Sequence, residues 1–196
     1  MDTAAGIALA GGLAWGSGLR LYAMVFAAGL LSRLGYLDLP ATLRTLEHPV
    51  VMAVAGVLLV VEFLADKIPA VDSLWDSVHT FIRIPAGAIL AALALGEHDP
   101  AVAVIAGLLG GTLAAGTHFA KAGVRAMANT SPEPFSNIAL SVAEDLLAAV
   151  GLAGALVYPL GFLLFLVFFV LVLAWLLPRL LKGILAVFRR PAGPPH

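Results

Sequence analysis

The 196-residue chain is 61% hydrophobic and only 12% charged, with a formal net charge of −1 and no cysteine. A soluble domain carries about 25% charged residues, so this composition belongs to the membrane class, and the mean hydropathy of +1.02 agrees. The near-zero charge argues against nucleic acid, which calls for a basic face, and the lack of cysteine removes disulfides, thiolate metal sites and cysteine nucleophiles.

The first apolar run, about Gly6 to Leu31, is long enough to cross a ~30 Å hydrocarbon core. It lacks the basic n-region and small-residue cleavage pattern of a signal peptide and reads as a retained first span. Gly16, Ser17 and Gly18 at its centre permit close packing or a helix break, and Arg20 follows too deep to reach water easily. Arg33 to Pro49 is a polar connection punctuated by Gly35, Asp38 and Pro40. A second span, about Val50 to Ala65, ends in Glu62, Asp66 and Lys67; Glu62 and Asp66 are four apart and share one helix face.

After Pro69, the residues Asp72, Asp76, His79 and Arg83 recur at spacings of four, three and four, one stripe of an amphipathic helix. Pro85 ends or kinks it, and Ala86 to Leu95 is too short to span alone. Residues 70–95 are therefore expected as a broken span, with a re-entrant pair lining a cavity as the alternative. Gly96 to Pro100 is an acidic turn. The fourth run, about Ala101 to Ala128, is glycine-rich at its centre and then basic on one face through His118, Lys121 and Arg125. Asn129 to Asn137 reads as a loop that can cap the next helix through Ser136 or Asn137.

The fifth span, about Phe135 to Leu156, carries Asn137, Ser141 and Glu144 on one face with Asp145 beside it. The sixth, Leu160 to Leu177, is wholly apolar and is expected to face lipid. Arg179, Lys182, Arg189 and Arg190 then favour a cytoplasmic C-terminus, with residues 183–196 as a disordered tail. Six spans would put the N-terminus on the same side. Trp15, Trp75 and Trp175 fit interfacial anchoring or packing better than a site. The expected fold is an all-α, polytopic membrane helix bundle of about six spans, one transmembrane domain over residues 1–182.

The halves, about 4–95 and 100–182, resemble each other weakly. Gly18-Leu19-Arg20 pairs with Gly116-Thr117-His118, and VVEFLA at 60–65 pairs with VAEDLL at 142–147, which sets Glu62 opposite Glu144. Three spans per half would make the repeats inverted, an arrangement in which secondary transporters bind substrate at the repeat interface among broken helices.

The stretches EFLADKIPAVDSLWDSVHTFIRIPAGA at 62–88, THFAKAGVRAMANTSPEPFSN at 117–137 and SVAED at 141–145, with GLRLY at 18–22, resemble a bacterial integral membrane family known as domain of unknown function four-one-two-six. The resemblance implies a multi-pass protein of the bacterial cytoplasmic membrane and implies no activity.

Function must then come from the polar residues, each of which costs roughly 2.5–3.5 kcal/mol to insert at a helix centre. Residues 62–83 and 118–145 together hold seven Asp or Glu, four Lys or Arg and two His. A transporter or channel for a small ion or solute would use Glu62 and Glu144 as paired carboxylates, with Arg20, Lys121 and Arg125 as counter-charges. Asp66, Lys67, Asp72, Asp76, His79, Arg83, His118, Asn137, Ser141 and Asp145 would line the rest of the path. Alternatively, His118, Lys121 and Arg125, helped by Arg20 and Arg83, would hold an anionic lipid or polyprenyl phosphate for binding or flipping. A third reading is a structural protein whose charges neutralise one another. Asp72, Asp76 and His79 project together and could hold a divalent cation such as Mg²⁺, Mn²⁺ or Zn²⁺. No catalytic arrangement is recognisable, since neither a G-x-S-x-G elbow nor H-E-x-x-H occurs. A homodimer fits the small size of the bundle.

Overall fold

Five of the six α-helices open on a proline, a residue whose fixed φ suits a first helical position and whose missing N–H is not needed there. They are α2 (Pro49–Ala65), α3 (Pro69–Leu95), α4 (Pro100–Ala128), α5 (Pro134–Val157) and α6 (Pro159–Phe188), preceded by α1 (Thr3–Arg33) and a 3₁₀ segment, Ala41–Glu47. The computed structural model describes residues 2–96, 99–128 and 134–188, and among these there is no strand. The turn residues 97–98, the loop 129–133 and the tail from 189 lie outside the described residues. α6 itself continues to Phe188. Because α5 begins at Pro134, Ser136 and Asn137 lie inside its first turn rather than ahead of it.

By length and composition, five helices can cross a membrane, and the bent pair of the 3₁₀ segment with α2 makes a sixth candidate. The first of them is not straight. Arg20 has φ −144° and ψ 72°, outside the helical region, in the middle of α1. A straight helix of 31 residues would be ~46 Å long, yet Asp2, Thr3 and Ile7 share a cleft with Asp38, Pro40 and Arg44, just beyond its other end. A Cβ on Gly16 would lie 2.2 Å from Sδ of Met24, eight residues further on, where a straight helix would separate the two positions by ~12 Å. Both limbs, residues 3–19 and 21–33, run back along α5: Trp15 meets Gly151, and Met24 and Ala27 share a groove with Ala148 and Leu152. α1 is thus a re-entrant helical hairpin with Arg20 at its tip.

The five helices α2 to α6 that follow the hairpin alternate in direction, so the start of α1 and the far end of α6 lie at opposite ends of the bundle. That corrects the expectation that they share a side. The two helices aligned in the weak repeat differ in form, α1 a hairpin and α4 a continuous helix.

The break expected at Pro85 is absent: α3 is one 27-residue helix with Pro85 inside it. Packing overrides the local preference. α3 lies between α1 and α4, its main contacts, and a Cβ on Gly87 would strike both Ser17 of α1 and Ala114 of α4. Gly18 allows an equally close crossing, since a Cβ there would lie 2.5 Å from the Ala114 carbonyl oxygen. The core between the hairpin and α3 is Leu9, Leu13, Met24, Leu43 and Leu90. Trp15 is buried edge-on against Phe162, Phe165 and Phe169 of α6. As expected, α6 otherwise turns outward, with Leu160, Leu164, Val167, Phe168 and Leu171 exposed. α2 does likewise through Val50, Val54, Val57 and Leu64, which leaves Ala55, Glu62 and Ala65 as its buried residues.

Candidate functional site

α2 buries one narrow face, and Glu62 is on it, one turn before Asp66 at the helix end. The three-and-four spacing of α3 puts Asp72, Asp76, His79 and Arg83 on one buried face, His79 toward Tyr22 of α1 and the others toward α4, which answers with His118, Lys121 and Arg125 at the same spacing. α5 brings Asn137, Ser141 and Glu144 one turn apart, and the α1 hairpin brings Arg20. All of these side chains are buried. The charged ones converge at the level of the hairpin tip.

Ten of the eleven ion pairs among the described residues form one connected network. Arg20 pairs with Asp66, with Glu144 Oε2 at 3.3 Å and with Asp145 Oδ1 at 2.8 Å. Its Nη2 also donates to the carbonyl and hydroxyl oxygens of Ser141, each at 3.1 Å. Arg125 grips Glu144 through two parallel bonds of 2.7 and 2.8 Å, donates to the Asp66 carbonyl at 3.0 Å, and reaches Asp66 and Asp72 carboxylates at 3.5 Å. Arg83 pairs with Glu62 and with Asp76 Oδ1, the latter at 2.8 Å. Lys121 joins these groups, 3.3 Å from Asp76 Oδ1 and 3.4 Å from Glu144 Oε2.

The histidines border this network and their tautomers follow from their partners. Arg83 can only donate, so His118 Nδ1, 3.3 Å from it, accepts, and Nε2–H faces Thr80 Oγ1 at 2.7 Å. The Thr80 hydroxyl in turn donates to the Asp76 carbonyl at 3.0 Å. His79 Nδ1–H faces the Trp75 carbonyl at 2.8 Å, its Nε2 meets the Tyr22 hydroxyl at 2.9 Å, and its ring stacks on Trp75. His118 is therefore a neutral imidazole, whereas the Tyr22 hydroxyl beside His79 Nε2 can either donate or accept. Among the described residues of the network, six carboxylates (Glu62, Asp66, Asp72, Asp76, Glu144, Asp145) face four Arg and Lys side chains (Arg20, Arg83, Lys121, Arg125), two more acids than arginines and lysines.

Not every expected residue joins. Lys67 turns away, its ammonium on the Phe63 carbonyl at 2.9 Å and over the Phe63 ring; burial pushes its pKa down. Glu133 lies outside the described residues. Asn137 is fully buried and neither amide atom has a hydrogen-bond partner among the described residues. Asp72, Asp76 and His79 do not converge as a metal triad, since the two aspartates face Arg125, Arg83 and Lys121 while His79 faces Tyr22 and Trp75. Among the described residues no group of three His, Asp or Glu has metal-binding geometry. The network opens on a cleft of about 210 Å³ between α3 and α4, lined by Asp72, Ser73, Asp76, Ser77, His118 and Arg125. Tyr22, Thr80 and the Leu19 carbonyl were not legible as participants, because only the folded hairpin and the α3–α4 contact bring them in.

The model of one protein family, described as Domain of unknown function (DUF4126), matches residues 7–179. No curated protein and no solved structure matches the chain.

Proposed function

The chain belongs to the DUF4126 family, and because that description assigns no activity we propose a function from the geometry: this multi-pass membrane protein moves a small cation across the bilayer through its buried charge network. The carrying observation is the excess, among the described residues, of two carboxylates over arginines and lysines in a network buried between apolar helices. Uncompensated charge in a low-dielectric interior is unfavourable, and a bound cation or proton relieves it. The broken α1 supports the reading, since interrupted helices present free backbone groups to ions in transporters.

The anionic-lipid reading draws less support. Arg20, Arg83, Lys121 and Arg125 are each already occupied by carboxylates, so a phosphate would have to displace them in a site of net negative charge.

The test is flux in proteoliposomes under H⁺, alkali-metal and divalent cation gradients, with Glu62→Gln and Glu144→Gln compared with wild type and checked for folding. Flux in wild type that both folded variants lose supports a pathway. Wild type that carries no cation sinks the proposal and leaves a structural network as the reading.

A further inference from the structure

Lys121 is the loosely held member of the network. Its ammonium is surrounded by three oxygens from three elements: Asp76 Oδ1 on α3 at 3.3 Å, Glu144 Oε2 on α5 at 3.4 Å and the Leu19 carbonyl on α1 at 3.4 Å. Charge-assisted contacts are ordinarily about 2.7–2.9 Å, and the guanidinium pairs of Arg83 and Arg125 beside it reach 2.7–2.8 Å. The Leu19 carbonyl immediately precedes the non-helical backbone at Arg20. Asp76, 5% exposed, lines the α3–α4 cleft, and its second oxygen, Oδ2, has no hydrogen-bond partner among the described residues.

We propose that these oxygens form a binding site for a monovalent cation of ammonium size, in which the Lys121 side chain is a tethered occupant that a free cation displaces. The inference rests on the cation reading above and names its site and ligand class. Two carboxylates with one carbonyl, crowded by Arg20 and Arg83, suit a singly charged ion; a divalent ion calls for more oxygen ligands. Ammonium and K⁺ match the size of the group now there. The α3–α4 cleft supplies the approach, and Lys121 has a flexible four-carbon stem on which to swing aside.

Replacing Lys121 with methionine keeps the stem and removes the tethered charge. The experiment is thermal unfolding of the purified full chain in detergent, titrated with KCl, NH₄Cl, NaCl or LiCl against choline chloride. Lys121→Met is expected to be stabilised by K⁺ and NH₄⁺ at concentrations that leave wild type unmoved, and the double variant Lys121→Met/Glu144→Gln to lose that response. Lys67→Met, outside the network, is expected to behave as wild type. If Lys121→Met does not fold in choline, recovery of folding on addition of KCl supports the site, and failure to recover overturns it. Equal responses of Lys121→Met to choline and K⁺ also overturn it, even where wild-type flux is present. Cation binding without flux retains the site and sinks transport.

Discussion

Arg20, at the tip of the α1 hairpin, lies 3.3 Å from Glu144 on α5, and the same carboxylate takes two bonds from Arg125 of α4. One acid therefore fastens the hairpin tip to the two helices behind it. The tip has nowhere else to satisfy a guanidinium, since Arg20 is wholly buried.

Removing that guanidinium should destabilise the protein strongly. Arg20→Met leaves Asp66, Glu144 and Asp145 short of a partner inside the bundle, and breaking a buried pair costs about 3–5 kcal/mol. Denaturation in detergent should show a large drop for Arg20→Met and none for Arg44→Met, whose pairing with Asp38 is long and solvent-exposed. Equal, small losses would mean the network is not what holds the tip.

The two neighbouring acids of α5 should differ. Glu144 contacts Arg20, Lys121 and Arg125, whereas the described ion pair of Asp145 is with Arg20 alone, and its side chain is 34% exposed. Glu144→Gln is expected to lower the unfolding temperature by several times the change in Asp145→Asn. The reverse order would contradict the geometry.

The hairpin makes a topological prediction that the cysteine-free sequence renders easy to read. Single cysteines replacing Thr3 and Tyr36 should react with a membrane-impermeant maleimide from the same side of sealed vesicles, and one replacing Lys67 from the other. Labelling of Thr3→Cys and Tyr36→Cys from opposite sides would restore a straight first span.

Two glycines at the hairpin should respond unequally to alanine. At Gly16 the added methyl meets the thioether of Met24, a flexible end that can move, whereas at Gly18 it meets the Ala114 carbonyl oxygen at 2.5 Å. Gly18→Ala is expected to cost about 1–3 kcal/mol, as overpacking does, and Gly16→Ala measurably less, in parallel thermal melts.

Much of this was legible in the chain. Helix starts within a few residues, the lipid-facing sixth run and the shared faces of Asp72–Asp76–Arg83 and His118–Lys121–Arg125 follow from hydropathy, proline positions and helical spacing, all local properties. So did the inward turn of the charges, because a bilayer offers them no other partner. Glu62 and Glu144, expected as paired carboxylates, belong to one network but take different guanidinium partners, Arg83 for one and Arg125 and Arg20 for the other.

What the amino-acid sequence by itself determined is the class of protein, the helices and the list of charges that must be satisfied within them. Only the tertiary structure decided that α1 folds back at Arg20, that α3 runs unbroken through Pro85, and which acid meets which base. Each of these depends on contacts between residues far apart in the chain. Glycine tolerates a straight or a turned helix, and proline a continuous or a broken one, until a neighbouring helix packs against it and selects between them.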